Sequence, residues 1–281
     1  MHDDVMPPAT DHKNMTTNPN LSPNPPPAFI VKSSNLFVGT DGAAGPWSSG
    51  HCHGGAPAAL ILRVAEAIPT LTPMEVARLS LELFRPVPTA LVSTRTDIIR
   101  EGKKLQLVTV HLDFEGVEVA RGTVLKLRTE PQDLPVDVLD SGSGIPSPEI
   151  LPSDQPRFTG GFARQFELRV AKGAFRQPGP ATLWFRLKGA LFSDEVATPM
   201  QVAAAVADFS NGASTALSFT EWTFLNADLT INFFRAPVGD WLAIDAETWV
   251  GPDGRALARS KLADRQGWFG QATQSLLLQN R

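Results

Sequence analysis

The chain has 281 residues, of which 42% are hydrophobic and 19% charged, proportions that are ordinary for a globular protein. A net charge of −4, with lysines and arginines scattered along the chain, excludes an electrostatic footprint for nucleic acid. No apolar run reaches the roughly 18 residues that suggest a membrane span. The single cysteine, Cys52, excludes an internal disulfide and is compatible with a reducing compartment, so we predict a cytoplasmic protein.

The beginning of the chain is polar and rich in proline, from Met1 through the run Pro23-Asn24-Pro25-Pro26-Pro27. It carries acidic residues early and has no apolar segment of the kind that a secretory signal contains. We therefore predict a disordered tail over residues 1–28. A proline-rich ligand for a partner protein is the alternative interpretation of this segment.

Segment 29–128 combines one apolar helix with alternating strands. A glycine-rich loop over 39–55 precedes a helix predicted at Ala56–Ile68, with Pro57 in its first turn and Pro69 beyond its end. This helix is apolar on most of its circumference, which predicts burial on several sides. Strands are predicted from alternating apolar residues at Phe29–Val38, Leu79 to Leu83, Leu105–Phe114 and Val117–Leu127.

A stretch rich in proline, serine, aspartate and glycine, 129–158, predicts a linker, and 159–281 then repeats the earlier pattern. The second helix is predicted at Pro199–Phe209, with Thr198 as its N-cap. Each unit is thus a buried helix accompanied by antiparallel strands. The strands predicted in the second unit are Arg164 to Val170, Thr182–Leu187, Asp228–Phe234, Trp241–Val250, Arg255–Asp264 and Trp268–Leu278.

Three landmarks recur at a nearly constant distance along the chain. They are Phe84-Arg85 with Phe234-Arg235, 150 residues apart, Gly102 with Gly254, 152 apart, and Gly116 with Gly267, 151 apart. A period of this length exceeds that of solenoid repeats and indicates a duplicated and fused unit. Because Arg85 and Arg235 are retained in both halves, we predict that they brace the sheet or an interface, with contact to CoA phosphates as the alternative.

Five motifs follow one another in a defined order: His53-Gly54-Gly55, Leu83-Phe84-Arg85-Pro86, Asn226-Ala227-Asp228-Leu229-Thr230, and the segments 234–241 and 270–277. In this order they resemble the acyl-CoA thioesterase family of the bacterial thioesterase II type. The resemblance runs from about Phe29 to the C-terminus and implies an α+β double hotdog, two fused units that each wrap an antiparallel sheet around a long buried helix. It also implies an acyl-CoA substrate, no cofactor, and a homo-oligomer that covers exposed sheet edges.

The same resemblance places an aspartate, a hydroxyl residue and a glutamine in the active site, at positions that fall on Asp208, Asn226 and Gln274. Asp208 ends the apolar run of the second helix, where it is expected to activate water as a general base. The alternative for Asp208 is a carboxylate at the helix C-terminus that faces solvent or bonds to Asn211 and Gly212.

The other two positions also have alternatives. Gln274 lies on an apolar strand, where a water-orienting amide is favoured over a solvent-facing one. Asn226 departs from the hydroxyl of the family pattern, so it binds the water through its amide, or it caps a turn, or the activity is altered.

His53-Gly54-Gly55 opens the first helix, where free backbone N–H groups favour a developing oxyanion. The resemblance makes Gly55, together with Gly54 and His53, the oxyanion and substrate-binding group, with a structural rather than an acid–base role for His53. The run His51-Cys52-His53 does not predict a metal site, because adjacent ligands alternate in direction and the sequence has no second cluster. Cys52 has no recognisable base and is predicted to be a bystander thiol.

The halves differ at the candidate site. Thr123 stands in the first half where Gln274 stands in the second, and we expect no acid at the end of the first helix to match Asp208. One active site per chain is therefore predicted, with Gly55 from the first unit and Asp208 from the second.

The leading hypothesis is hydrolysis of an acyl-CoA to a carboxylic acid and CoA. A non-catalytic acyl-CoA or acyl-carrier binding protein with the same fold is the alternative. A hydratase or dehydratase ranks last, because neither His51 nor His53 has an acid at a recognisable spacing.

Overall fold

A computed structural model describes residues 25–135, 138, 142–152, 160–175 and 177–281. The predicted tail up to residue 24, and parts of the predicted linker 129–158, lie outside these residues. Residues 26–28, which the sequence placed in the tail, contact the folded chain: Ala28 is fully buried, and the Pro26 carbonyl accepts a hydrogen bond from Gln165 Nε2 at 2.7 Å. No helix of the described part is long and apolar enough to cross a membrane.

The described strands form one continuous sheet in which all neighbouring strands are antiparallel. The strands are β1 (Phe29–Ser33), β2 (Leu36–Gly39), β3 (Met74–Leu83), β4 (Leu91–Glu101), β5 (Leu105–Phe114), β6 (Val117–Arg128), β7 (Phe166–Lys172), β8 (Ala181–Leu187), β9 (Trp222–Asn226), β10 (Asp228–Phe233), β11 (Trp241–Val250), β12 (Arg255–Asp264) and β13 (Gly267–Asn280).

The two halves of the sheet have the same strand order, counted from opposite edges. From one edge to the centre the order is β1, β2, β4, β5, β6, β3, and from the other edge it is β7, β8, β11, β12, β13, β10. At the centre β3 pairs with β10, with Ser80 opposite Thr230. The remaining strand, β9, pairs with the far end of β13. The repeat seen in the sequence is therefore a repeat of sheet topology.

Most predicted strands are present, and the differences have local causes. The strand predicted at Phe29–Val38 is a hairpin, because Ser34 and Asn35 form a turn in which Asn35 Oδ1 accepts a hydrogen bond from Ser33 Oγ at 2.9 Å. Strands β4 and β9 were not predicted. The second helix is shorter than the predicted Pro199–Phe209.

The first helix, α1 (Gly55–Glu66), lies in the centre of its half against β3, β5 and β6. Every residue in it except Arg63 and Glu66 is buried, as its apolar sequence predicts. Gly54 is its N-cap and has no side chain with which to cap the first turn, where the Gly55 N–H meets His53 Nδ1 at 3.1 Å. The first-turn amides of α1 therefore depend on other partners.

The second helix, α2 (Pro199–Ala207), begins with the predicted Thr198 cap. Thr198 Oγ1 accepts from the Gln201 backbone N–H at 3.2 Å, and Gln201 Oε1 accepts from the Thr198 backbone N–H at 3.1 Å, a reciprocal capping box. After Asp208 and Phe209 a single further helical turn follows, α3 (Ser210–Ala213). Both α2 and α3 pack against β11.

The N-terminus of α1 lies directly on the C-terminal turn of α2. A Cβ atom at Gly55 would collide with the backbone carbonyl oxygen of Ala205 and would lie 3.0 Å from Phe162 Cε1. Glycine is therefore required at this position by the close approach of two backbones.

The repeated arginines have different contacts. Arg235 forms a two-pronged hydrogen bond to Asp264 at 2.6 and 2.8 Å, but Arg85 is exposed, and no described residue accepts a hydrogen bond from it. Asp113, the counterpart of Asp264, instead accepts from Arg95 at 3.2 Å. The predicted structural role is therefore seen within the described chain for Arg235 and stays a prediction for Arg85.

Gly55→Ala is expected to destabilise the fold. Alanine favours a helix by about 1 kcal/mol over glycine, but overpacking costs about 1–3 kcal/mol, and a backbone carbonyl cannot turn aside as a side chain can. The difference leaves a net cost of up to about 2 kcal/mol, and we expect urea denaturation to give a free energy of unfolding lower by that amount. Gly102→Ala is the control, since its Cβ would lie 3.7 Å from the nearest atom. An equal loss in both variants would contradict the packing argument.

Asp264 is expected to contribute stability that disappears in acid. Burial opposes its charge, but hydrogen bonds from Arg235 and from the backbone of Val238 and Gln266 prevail, and the pKa of Asp264 lies below its ordinary value. Because the unfolded chain then binds the proton more readily, this stability is present above about pH 4 and is lost as pH falls through the lower folded pKa. The melting temperature of Asp264→Asn should be well below wild type at pH 7 and should approach it at lower pH. A gap that stays constant down to pH 2 would contradict this linkage.

Candidate active site

Asp208 caps the C-terminus of α2 and lies at the centre of the candidate site. Its side chain is 4% exposed, and Oδ1 accepts two hydrogen bonds at 2.8 Å, from Asn226 Nδ2 and from Gln274 Nε2. Its other oxygen, Oδ2, lies 2.9 Å from His53 Nδ1. The structure thus brings together candidate residues from both halves of the chain, and Asp208 does not face solvent.

Gln274 holds the Asp208 carboxylate from the sheet. It lies in β13, fully within the interior at 1% exposure and opposite Ala258 of β12. Its Oε1 accepts from the Asn211 backbone N–H at 3.1 Å, while its Nε2 donates to Asp208. Because both ends of the amide are bonded, its nitrogen is fixed toward the carboxylate.

Asn226 lies at a break in the sheet. It ends β9, and the strand that pairs with β13 changes there from β9 to β10. Between them, Ala227 donates its N–H to Ser275 and accepts from the Leu83 N–H at 2.9 Å. Asn226 Nδ2 reaches Asp208, whereas its Oδ1 makes no hydrogen bond to any residue in the described part of the chain.

The carboxylate also lies against the start of α1. A Cβ atom at Gly54 would lie 2.8 Å from Asp208 Oδ2 and 2.9 Å from Oδ1, so only glycine allows this approach. The His53 ring packs against Phe162 and Phe209, with centroid distances of 5.2 and 4.5 Å, and these two phenylalanines also stack on each other. The positive end of the α1 dipole favours a carboxylate at this place.

His53 Nδ1 has two competing neighbours. The Gly55 N–H points at this nitrogen from 3.1 Å, and Asp208 Oδ2 lies 2.9 Å from the same atom. A ring nitrogen carries either a proton or one lone pair, so it does not donate to the carboxylate and accept from the amide at once. When Nδ1 holds the proton for Asp208, no other described residue accepts from the Gly55 amide.

The expectation that no acid ends the first helix is wrong, because α1 ends at Glu66. Its carboxylate accepts from Gln201 Nε2 at 2.6 Å and from Thr198 Oγ1 at 3.1 Å, at the start of α2. Burial raises the pKa of Glu66, and these two hydrogen bonds lower it in part. Each helix therefore ends in an acid that contacts the N-terminus of the other, and Glu66 extends the cap of α2.

The sequence suggested Asn211 only as a local partner of the Asp208 side chain, although its i, i+3 spacing from Asp208 was an available signal for a place in the site. Two further residues beside Asp208 were missed in the sequence. Phe209 is adjacent to Asp208 but was assigned only to the helix end. Phe162 lies in a short 3-10 helix, Phe162–Gln165, far from His53 along the chain, so no spacing indicated their contact.

The run His51-Cys52-His53 does not converge on one point. His51 is exposed and pairs with Pro88, whereas His53 contacts Asp208. Burial raises the pKa of the Cys52 thiol to about 12, so the thiol stays protonated near neutral pH and is a poor nucleophile. Within the described residues there is no group of three or more His, Cys, Asp or Glu side chains that could hold a metal ion.

Two protein-family models match the chain in its two halves. The acyl-CoA thioesterase N-terminal domain matches residues 43–127, and the acyl-CoA thioesterase C-terminal domain matches residues 143–278. Together these matches cover most of the chain and include the six candidate site residues. No curated protein sequence matches the chain significantly.

Solved structures with the same fold cover nearly the whole chain. The candidate thioesterase of Novosphingobium aromaticivorans is 23% identical with a TM-score of 0.71, over 90% of this chain and 99% of that protein. The acyl-CoA thioesterase II of Mycobacterium marinum is 16% identical with a TM-score of 0.66, over 90% and 96%.

A third similar structure names the fold. It is a conserved Alicyclobacillus acidocaldarius protein with a hot dog fold, 15% identical with a TM-score of 0.69, over 90% of this chain and 96% of that protein. At these identities the likeness establishes the hotdog fold. Matched by family models in both halves, the chain belongs to the acyl-CoA thioesterase family.

Proposed function

We propose that the protein hydrolyses an acyl-CoA thioester with a water molecule activated at Asp208. The observation that carries this proposal is the buried Asp208 carboxylate, oriented by Asn226, Gln274 and His53. A carboxylate oxygen has two lone-pair sites. Both sites on Oδ1 are used by the two amides, whereas the only polar neighbour that the described residues place at Oδ2 is His53 Nδ1. Oδ2 therefore keeps one site open for a water proton.

The proposed reaction balances within the site. The water oxygen forms a bond to the thioester carbonyl carbon while Asp208 Oδ2 takes one water proton, and the carbonyl π pair moves to its oxygen. When that intermediate collapses, the C–S bond breaks and its electron pair leaves with sulfur. The proton on Asp208 passes to the thiolate. The products are a carboxylic acid and CoA, and Asp208 is again a carboxylate.

The developing oxyanion needs a preorganised donor, and the Gly55 amide is the one we propose. It lies in the first turn of α1, where the dipole favours negative charge. Its N–H shares His53 Nδ1 with Asp208, so a proton on Nδ1 releases this N–H for the substrate oxygen. In this arrangement His53 connects the base to the oxyanion donor and does not itself take the water proton.

Asn226 replaces a hydroxyl residue of the family pattern, and its amide supports the proposed role. Its Nδ2 donates to Asp208 at 2.8 Å, and its Oδ1 has no hydrogen-bond partner in the described part of the chain. An amide has a donor and an acceptor at its two ends. Asn226 is therefore able to hold Asp208 through Nδ2 while its Oδ1 stays available as an acceptor beside the carboxylate.

The proposed architecture is a double hotdog with one active site per chain. Its proposed units are residues 29–128 and 159–281, joined by 129–158, and its proposed acyl site lies between them. The mirrored strand order and the joining of His53 to Asp208 across the halves support this division. Assembly into a homo-oligomer and a cytoplasmic location remain predictions.

Asp208→Asn tests the base directly. Asparagine keeps the shape of the side chain but does not take a water proton, so we expect kcat for thiol release from a panel of acyl-CoAs to fall by about 10²–10⁴-fold. Glu66→Gln is the matched control at the other helix end and should retain turnover.

Three results would contradict parts of this proposal. Unchanged turnover in Asp208→Asn would exclude Asp208 as the base. Saturable acyl-CoA binding without thiol release by the wild type would favour the non-catalytic binding protein. Two acyl ligands bound per chain would contradict a single site.

His53→Phe tests the link between base and oxyanion donor. The phenyl ring retains the packing against Phe162 and Phe209 but removes Nδ1. The Gly55 N–H stays free for the substrate oxygen, but Asp208 Oδ2 loses its neighbour at 2.9 Å. We expect kcat to fall by about tenfold to a hundredfold with KM nearly unchanged, the effect of losing one hydrogen bond to a charged group. His51→Phe, at an exposed neighbouring histidine, is the control and should keep wild-type kcat. A loss confined to KM would place His53 in substrate binding alone.

A further inference from the structure

The Asn211 side chain is buried without a protein partner. Only 8% of the residue is exposed, and Oδ1 is a buried acceptor to which no described residue donates. The side-chain nitrogen of Asn211 likewise makes no hydrogen bond within the described part of the chain, and the one bond of this residue beyond the helix comes from its backbone N–H. An acceptor removed from water and left unpaired is costly, so such atoms in native proteins call for a partner.

The location of Asn211 identifies the site that its side chain faces. Residues 208 and 211 are both in the helical turns at the end of α2 and in α3, and an i, i+3 spacing puts their side chains on one face. The Asn211 backbone N–H binds Gln274 Oε1 at 3.1 Å, and the same Gln274 amide holds Asp208. Asn211 therefore belongs to the group of residues around the carboxylate.

The hydroxyl groups beside Asn211 in the chain have hydrogen-bond partners within the protein, unlike the Asn211 side chain. Ser210 Oγ donates to the Ala207 carbonyl at 2.6 Å and lies 2.7 Å from Ser260 Oγ. Ser214 Oγ donates to the Ser210 carbonyl and lies 2.8 Å from Thr248 Oγ1. These hydroxyls bind α3 to β11 and β12. The Asn211 side-chain amide makes no hydrogen bond to any described residue.

We propose that Asn211 Oδ1 accepts a hydrogen bond from the water that attacks the thioester, an inference that rests on the proposed hydrolysis. The water has two O–H groups. Asp208 Oδ2 takes the proton from one of them, and Asn211 Oδ1 binds the other, which stays with the oxygen that becomes part of the carboxylic acid. Two acceptors on one water fix the direction of its remaining lone pairs toward the carbonyl carbon. Asn211 is thereby a catalytic residue that positions the nucleophile.

Asn211→Ala separates this role from a structural one. The substitution removes no hydrogen bond to a described residue and deletes a buried acceptor, so the melting temperature should stay the same or rise. The water loses one of its two acceptors, so we expect kcat for thiol release to fall about tenfold to a hundredfold with KM nearly unchanged. Ser214→Ala is the matched control with the opposite pattern, a lower melting temperature and a wild-type kcat for the folded enzyme.

Each other result has a definite meaning. A wild-type kcat in Asn211→Ala overturns the inference, and so does a change in KM alone. A parallel loss of melting temperature and kcat assigns Asn211 to structure and also overturns it. If the wild type releases no thiol from any acyl-CoA, the proposed function itself fails, which is distinguishable because that result does not involve the variant.

Discussion

The contact between the N-terminus of α1 and the C-terminus of α2 is the constraint on which both the fold and the site depend. Because Gly54 and Gly55 have no Cβ, the two backbones approach until Gly55 lies against the Ala205 carbonyl and Gly54 lies beside the Asp208 carboxylate. The carboxylate then sits at the negative end of one helix dipole and the positive end of another, and these effects oppose each other. The remaining stabilisation of its charge comes from the two amides, at 2.8 Å each, and from His53.

The duplication makes this contact reciprocal, but the two helix ends have different chemistry. Glu66 meets the α2 N-terminus through Thr198 and Gln201, which are already cap residues, so that carboxylate completes a helix cap. Asp208 meets its partners on β9 and β13 instead. The difference arises in the sheet. Strand β3 is continuous from Met74 to Leu83, whereas in the second half β9 ends at Asn226 and β10 begins after Ala227. This interruption places Asn226 beside the carboxylate. A structural contact in one half thus corresponds to a candidate active site in the other.

The periodic pattern of apolar residues predicted the helices and strands that bury one face. It did not predict strands whose burial is irregular. The apolar run of α1 and the Thr198 cap were read correctly, but β4 was missed because all its residues from Arg95 to Glu101 are exposed, which removes the alternation that marks a strand. At the candidate site the resemblance supplied Asp208 and Gln274. The Phe162 contact with His53 was unpredictable, because it depends on how two distant segments pack.

The amide of Asn226 gives this position two separate polar atoms, where a hydroxyl would give one. A hydroxyl has a single hydrogen, so a hydroxyl that donates to the carboxylate meets the water only through a lone pair on the same small atom. An amide separates donor and acceptor onto two atoms, and here Nδ2 is committed to Asp208 while Oδ1 is left without a partner in the described chain. Gln274, by contrast, is held at both ends, so its amide leaves no comparable atom unpaired.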